Sequence, residues 1–207
     1  MRTRKIAITV AFLSVAAAAI ALVLAQEKAP RGDEPAEVLV VFASGNPADT
    51  GKDEGKADAI TCPTPRDQNV GTIVQKIARD LREKKINVRI LQAEEVADEM
   101  TLLDAGMLVL ASPAYFSNMS WQMKKMIDER FGAVYRLKGR FNGKPVALFS
   151  MAAVEQSAVE ALKAMETAVE HCNGSVKAKT FVLAGEEKSP INVVIADFVE
   201  AITDEVK

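Results

Sequence analysis

Two short polar segments carry residues that could hold a phosphate group. They combine small side chains, hydroxyls and amides with the start of a helical pattern: Ser44, Gly45 and Asn46 in the first, and Asn69, Val70, Gly71 and Thr72 in the second. Free backbone N–H groups at a helix start, together with the helix dipole, favour an anion. These segments could therefore bind a phosphate monoester without Lys or Arg, although their composition is also typical of simple turns.

A third segment places aromatic residues beside small polar ones. It covers residues 112–124 and reads Ser-Pro-Ala-Tyr-Phe-Ser-Asn-Met-Ser-Trp-Gln-Met-Lys. Tyr115 and Phe116 could stack on a flat ring, because aromatic faces attract other π-systems. The alternative is that both rings only pack against a neighbouring helix. Asn118 or Ser120 could cap the helix that follows in either case.

Several classes of chemistry are disfavoured by composition and motifs. One histidine, His171, and two cysteines, Cys62 and Cys172, are too few for a zinc site or an iron–sulfur cluster, and they indicate no catalytic triad. Neither Gly-x-x-x-x-Gly-Lys-[Ser/Thr] nor Gly-x-Gly-x-x-Gly occurs. A net charge of -2 disfavours a nucleic-acid binder. Whether the two cysteines form a disulfide is left open by their positions in the sequence.

The elements that must position the candidate residues follow from hydrophobic periodicity. Continuous apolar runs predict strands at 38–42, 86–91, 107–111, 145–150 and 181–184, the last beginning as early as residue 176. Stripes at helical spacing predict helices near 69–81, 93–103, 119–127, 154–169 and 191–202. This alternation predicts an α/β fold with helices on both faces of a parallel sheet. The carboxyl ends of its strands would meet at one edge, where a ligand can bind.

The amino-terminal segment differs from the rest of the chain. Arg2, Arg4 and Lys5 precede an uncharged stretch at 6–25, which is long enough to cross a membrane. A signal peptide cleaved between Ala25 and Gln26 explains the same pattern, and a buried core helix is a third alternative. We expect a linker at 26–37 and a folded domain at 38–207, with a polar binding loop or insertion at 46–68.

Three segments of the predicted domain resemble one known family. Residues 112–128 are similar to the second flavin loop and following helix of flavodoxin-like, FMN-binding reductases. This group contains NADPH-dependent FMN reductases and multimeric flavodoxin quinone reductases. Residues 38–45 resemble the first strand and phosphate loop of the group, and residues 143–149 resemble the entry to its fourth strand. The likeness extends over 38–207.

The resemblance implies a fold, a cofactor and a set of contacts. The fold would be flavodoxin-like, a doubly wound five-stranded parallel sheet of order 2-1-3-4-5, and the cofactor would be FMN. The flavin would carry the electrons itself, so the resemblance implies no catalytic side chain and no metal ligand. The FMN phosphate would lie on Ser44, Gly45, Asn46, Asn69, Val70, Gly71 and Thr72. The ribityl chain and ring would lie on Pro113, Ala114, Tyr115, Phe116, Ser117, Asn118 and Met119, with Met151, Ala152 and Ala153 at a third edge.

The predicted function is that of an exported or membrane-anchored electron-transfer protein or oxidoreductase that uses FMN. Its electron donor or acceptor would be a quinone, NAD(P)H or a redox protein, and a domain outside the cytoplasm favours a quinone or another membrane electron carrier. An uncleaved amino-terminal helix would hold it in the membrane, and it could form a homo-oligomer. The alternative is a binding or structural module that keeps the flavodoxin fold and has lost FMN.

Overall fold

The computed structural model describes residues 37–43, 69–137, 139–185 and 188–207. These residues belong to a compact unit that spans Pro35–Lys207. The predicted anchor or signal, the linker up to residue 36, the polar stretch with Cys62, and the phosphate-loop residues Ser44, Gly45 and Asn46 lie outside the described residues. Within the described ranges, every helix is too short or too polar to cross a membrane.

The sheet has the strand order that the sequence predicts. Five parallel strands lie in the order β2-β1-β3-β5-β6, and a two-residue strand, β4, pairs antiparallel with β3 alone. The five long strands therefore follow the predicted order 2-1-3-4-5, and β4 is an addition. The strands are β1 (Val38–Phe42), β2 (Val88–Gln92), β3 (Met107–Tyr115), β4 (Asn118–Met119), β5 (Pro145–Ala152) and β6 (Ser175–Leu183).

Helices cover both faces of the sheet. Their bounds are α1 (Val70–Glu83), α2 (Glu99–Asp104), α3 (Trp121–Met126), α4 (Gly132–Arg136), α5 (Glu155–His171) and α6 (Lys188–Val206). Alternate β1 residues Val38 and Val40 pack with α1 and α6, while Leu39 and Val41 pack with α3 and α5. Because both faces are buried, β1 is apolar at every position. The doubly wound architecture is therefore confirmed.

Two predicted helices begin later in the structure than their apolar stripes indicate. The stretch predicted at 93–103 is a short 3₁₀ turn, Ala93–Glu95, followed by α2. The break occurs because Asp98 caps α2, with its carboxylate accepting the Thr101 N–H at 2.9 Å. The helix predicted from Met119 begins at Trp121, because Ser120 is its N-cap and Met119 pairs with β3. A π-helical turn, Ile127–Phe131, joins α3 to α4.

Two strands are longer than their apolar runs. β3 continues four residues past the predicted end at 111, and β5 continues two residues past 150. The parallel ladder between them reaches Pro113 and Met151. Beyond that point Ala114 and Tyr115 pair with β4. Part of the predicted flavin loop is therefore sheet, held by strand pairing rather than by loop contacts.

The turn after α5 provides a prediction about stability. Asn173 adopts a left-handed φ of 58°, and the Gly174 N–H donates to the Val169 carbonyl oxygen at 2.9 Å. A Cβ at Gly174 would lie 2.6 Å from Cγ1 of the buried Val169. We therefore expect Gly174→Ala to lower the free energy of unfolding by about 1–3 kcal/mol in urea titrations.

Gly132 provides the matched control for that substitution. It lies in helical backbone, and a Cβ added there meets no atom within 4 Å. Gly132→Ala should leave the free energy of unfolding unchanged or raise it by up to about 1 kcal/mol. If Gly174→Ala were as stable as the wild-type chain, the close packing of this turn on Val169 would be refuted.

Candidate functional site

The order of the strands places the site at the carboxyl ends of β1 and β3. From β1 the chain crosses to β2 on one side, and it later adds β3 on the other side. The connections therefore diverge between β1 and β3, which is where an open α/β sheet forms a ligand crevice. Pairing between the two strands continues one residue past the end of β1, where the Ala43 N–H donates to the Ala111 carbonyl oxygen at 2.9 Å. The rim of the crevice is thus rigidly positioned by the sheet.

The first turn of α1 lies on the β1 side of this crevice. Asn69 is its N-cap, as predicted, and Asn69 Oδ1 accepts the Thr72 N–H at 2.7 Å and the Thr72 hydroxyl at 3.0 Å. The turn contains no acidic residue. A helix start of this kind leaves backbone N–H groups without partners inside the helix, and the helix dipole adds positive potential. The donor set suits a dianionic phosphate.

Because Gly71 has no side chain, a ligand can approach the backbone at the start of α1. A Cβ at Gly71 would lie 3.3 Å from Asn69 Oδ1 and 3.5 Å from the Phe42 ring. The first distance is tighter than an ordinary contact, so a side chain here would press on the capping amide. Val70 is buried, Gly71 is half-buried and Thr72 is exposed. Of the described phosphate candidates, the backbone of Gly71 and the side chain of Thr72 are therefore accessible.

The segment after β3 forms a tight hairpin. Ala114 pairs with Met119 and Tyr115 with Asn118, which leaves a two-residue turn of Phe116 and Ser117. Both turn residues have positive φ, 50° and 61°. This is the pattern of a type I′ turn, which Asn-Gly usually forms. Left-handed backbone at bulky residues costs about 1–3 kcal/mol each and is concentrated at binding sites.

The tip of this hairpin presents aromatic surface to the outside. Phe116 is fully exposed, and Tyr115 retains 45% of its surface. Trp121, the first residue of α3, is also exposed. The exposure of Phe116 does not fit the alternative in which its ring packs against a helix. Of the predicted flavin-loop residues, the structure exposes Tyr115, Phe116, Ser117 and Asn118 and buries Pro113, Ala114 and Met119.

The third predicted edge lies at the end of β5. Met151 and Ala152 are the last residues of this strand and are buried, whereas Ala153 is exposed. Met151 packs in the core with α1 and α6, because β5 extends two residues further than its apolar run. Since β3 lies between β1 and β5, this edge is one strand away from the crevice. Among these three residues, only Ala153 presents surface to a ligand.

One contact at the site has no signal in the sequence patterns, although the sequence predicts Ser120 as a possible helix cap. Ser112 and Ser120 are buried and hydrogen bonded to each other at the base of the hairpin. Trp121 follows Ser120 and is exposed. Its position at a helix start is the sequence feature that could have marked it as a site residue.

The titratable residues that the sequence analysis considered lie outside this site. His171 ends α5, and burial raises the pKa of the neighbouring Cys172 thiol. The described residues contain no cluster of acidic, His and Cys side chains suited to a metal ion.

Comparisons with known proteins agree with this geometry. The family model described as NADPH-dependent FMN reductase matches residues 59–188, which is more than half of the chain. A flavodoxin from Streptococcus pneumonia TIGR4 is similar in structure, with a TM-score of 0.60 and 15% identity over 83% of this chain and 100% of that one. A flavodoxin, WrbA-like protein from Agrobacterium tumefaciens has a TM-score of 0.56 and 12% identity over 83% of this chain and 99% of that one.

A larger protein contains the same fold as one part. Rubredoxin oxygen:oxidoreductase from Desulfovibrio gigas matches with a TM-score of 0.58 and 10% identity, over 82% of this chain and 36% of that one. At these identities the solved structures establish the fold, which is flavodoxin-like.

Proposed function

Because this chain belongs to the NADPH-dependent FMN reductase family, we propose that it is an oxidoreductase that transfers electrons through FMN at the crevice between β1 and β3. FMN is the cofactor indicated by the family and by the flavodoxin-like fold. The observation that carries the placement is the hairpin tip, where a fully exposed Phe116 is held in left-handed backbone beside the crevice. Backbone strain of this kind is concentrated at functional sites, which supports a binding role for the hairpin tip.

The phosphate of FMN would bind at the first turn of α1. Asn69 holds the turn in shape through Thr72, so the backbone N–H groups at the helix start point outward without competition from an acidic side chain. Ser44, Gly45 and Asn46 follow β1 in the sequence and would complete the phosphate site. In this arrangement no cationic side chain is needed. The helix start supplies positive potential, and the Ser44 hydroxyl and the Asn46 amide would add donors, whereas the Thr72 N–H and hydroxyl already donate to Asn69.

The isoalloxazine would lie against the hairpin. Tyr115 and Phe116 offer aromatic faces for stacking. The exposed residues Ser117 and Asn118 offer polar groups that can bind the polar ring edges. When bound, FMN supplies the electron or hydride transfer itself. The task of this chain's residues is then to bind and orient the ring and to exclude water from one face. No side chain has to act as an acid or a base.

The electron partners and the location are part of the same proposal. The family description names NADPH, which makes a nicotinamide the first donor to consider. The uncharged stretch at 6–25 supports a domain that is exported or anchored in the membrane. For a domain on the outer side of a membrane, a quinone or a redox protein is the more accessible partner. Mass spectrometry of the native amino terminus distinguishes a retained anchor from a cleaved signal.

An anaerobic redox experiment tests the proposed activity. The full chain, purified in mild detergent and loaded with FMN, is mixed with NADPH, and the visible flavin absorption is followed. We expect the absorption to bleach and to return when a soluble quinone is added. If NADPH fails and a chemically reduced flavin is still reoxidised by the quinone, the donor is another carrier. A bound flavin that exchanges electrons with none of these reagents would overturn the proposal.

A further inference from the structure

A pair of buried serines closes the base of the hairpin. Ser112 lies in β3 and Ser120 caps α3, and their side chains are almost completely buried. The Ser120 N–H donates to Ser112 Oγ at 3.0 Å. The Ser112 hydroxyl in turn donates to the Pro113 carbonyl oxygen at 2.9 Å and lies 3.3 Å from Ser120 Oγ. One hydroxyl thus joins the end of a strand to the start of a helix.

Ser120 is also held in place by hydrogen bonds within α3. Ser120 Oγ accepts the Met123 N–H at 3.4 Å, and the Ser120 carbonyl oxygen accepts the Lys124 N–H at 2.9 Å. The seven residues between the two serines are therefore held at both ends. Within that segment the hairpin has only two pairs of residues, Ala114 with Met119 and Tyr115 with Asn118. So short a hairpin has little stability of its own, so its strained tip depends on what closes its base.

We propose that Ser112 is a positioning residue for flavin binding, acting through the hairpin and not by touching the cofactor. The inference rests on the proposed function, because the hairpin is there assigned as the platform for the ring. Ser112 is fully buried, so it cannot reach a ligand in the crevice. Its hydroxyl instead fixes where Tyr115 and Phe116 lie relative to the carboxyl end of β1. A ring platform that is already in place binds with a smaller loss of conformational freedom.

Ser150 shows that a buried serine at this position in the sheet does not need a hydrogen bond to its hydroxyl. It is the register partner of Ser112 on β5 and is equally buried. Its Oγ is one of the few buried polar atoms in the described ranges without a hydrogen-bond partner. Removing this hydroxyl should leave the fold and the hairpin intact, since it breaks no hydrogen bond. Ser150→Ala is therefore a matched control for Ser112→Ala, because the same change is made at an equally buried serine on the adjacent strand.

The test compares these two variants in the full chain, purified in mild detergent. We expect Ser112→Ala to raise the Kd for FMN about tenfold, because a buried donor and acceptor lose their partner. In the FMN-free chain, hydrogen exchange of the amides at 115–119 should accelerate about tenfold in this variant, while the amides of β1 keep their rates. Ser150→Ala should stay within about twofold of wild type in both measurements, and Ser112→Thr, which keeps the hydroxyl, should recover most of the affinity.

Each outcome decides between the inference and its alternatives. Equal Kd values for Ser112→Ala and Ser150→Ala, or unchanged exchange at 115–119, would overturn the positioning role. A wild-type chain that binds no FMN would refute the proposed function, while the exchange rates would still show whether Ser112 holds the hairpin. If Ser112→Ala does not fold, Ser112→Cys, which keeps a weak donor of similar size, is judged by the same two measurements.

Discussion

Asn69→Asp will weaken FMN binding about tenfold and leave riboflavin binding unchanged. Aspartate caps a helix as well as asparagine does, so an aspartate oxygen can keep the contacts to the Thr72 N–H at 2.7 Å and the Thr72 hydroxyl at 3.0 Å. The substitution adds a negative charge at the helix start where the phosphate is proposed to bind. At a separation of about 6 Å this repulsion is worth about 1–3 kcal/mol.

The measurement is a pair of titrations followed by flavin fluorescence, one with FMN and one with riboflavin, which lacks the phosphate. Asn87→Asp is the control, because Asn87 is exposed just before β2, at the opposite edge of the sheet. It adds the same charge far from the crevice and should leave both Kd values unchanged. If Asn69→Asp weakened both ligands equally, or neither, the phosphate would not lie on α1.

Phe116→Gly will make the FMN-free chain more stable and its FMN binding weaker. Phe116 has a φ of 50°, a region that glycine enters without the steric cost of a Cβ. Its ring is fully exposed, so its removal sacrifices no packing. We expect the free energy of unfolding to rise by about 1 kcal/mol. The Kd for FMN should rise about tenfold, because the stacking surface is lost.

Lys85→Gly is the control for the stability effect. Lys85 also has a left-handed φ, 66°. It follows Lys84, the C-cap of α1, and lies away from the crevice. It should gain a similar amount of stability and keep the wild-type Kd for FMN, as measured by urea unfolding and fluorescence titration. An unchanged FMN affinity in Phe116→Gly would remove this ring from the site. A lower free energy of unfolding in Phe116→Gly would show that the Phe116 side chain stabilises the turn, which contradicts the predicted relief of strain.

The sheet could be predicted from the sequence because its strands are buried on both faces. A parallel strand covered on both sides is a continuous apolar run, and the run at 38–42 matches β1 residue for residue. The start of α1 could also be predicted from the sequence, because an N-cap depends only on a side chain and a backbone N–H three residues apart. Signals that arise within a few residues of chain are local and can be read directly.

The hairpin could not be predicted in the same way. Its turn is Phe-Ser, which lacks the Asn-Gly signature of a type I′ turn, and its strand β4 has only two residues. The extension of β3 to Tyr115 depends on partners in β5 and β4, which periodicity within β3 does not reveal. Ser112 and Ser120 are eight residues apart, and only the folded chain brings their hydroxyls together. The spacing of residues along the sequence does not predict contacts that depend on three elements, here β3, β4 and β5.

The most direct test of this account is the titration of the full wild-type chain with FMN, followed by flavin fluorescence. We expect the emission to be quenched, with a sharp equivalence point at one FMN per chain when the protein is at micromolar concentration. Emission that stays identical to that of free FMN throughout the titration would contradict it. The chain would then be a flavodoxin-fold module whose crevice holds no flavin.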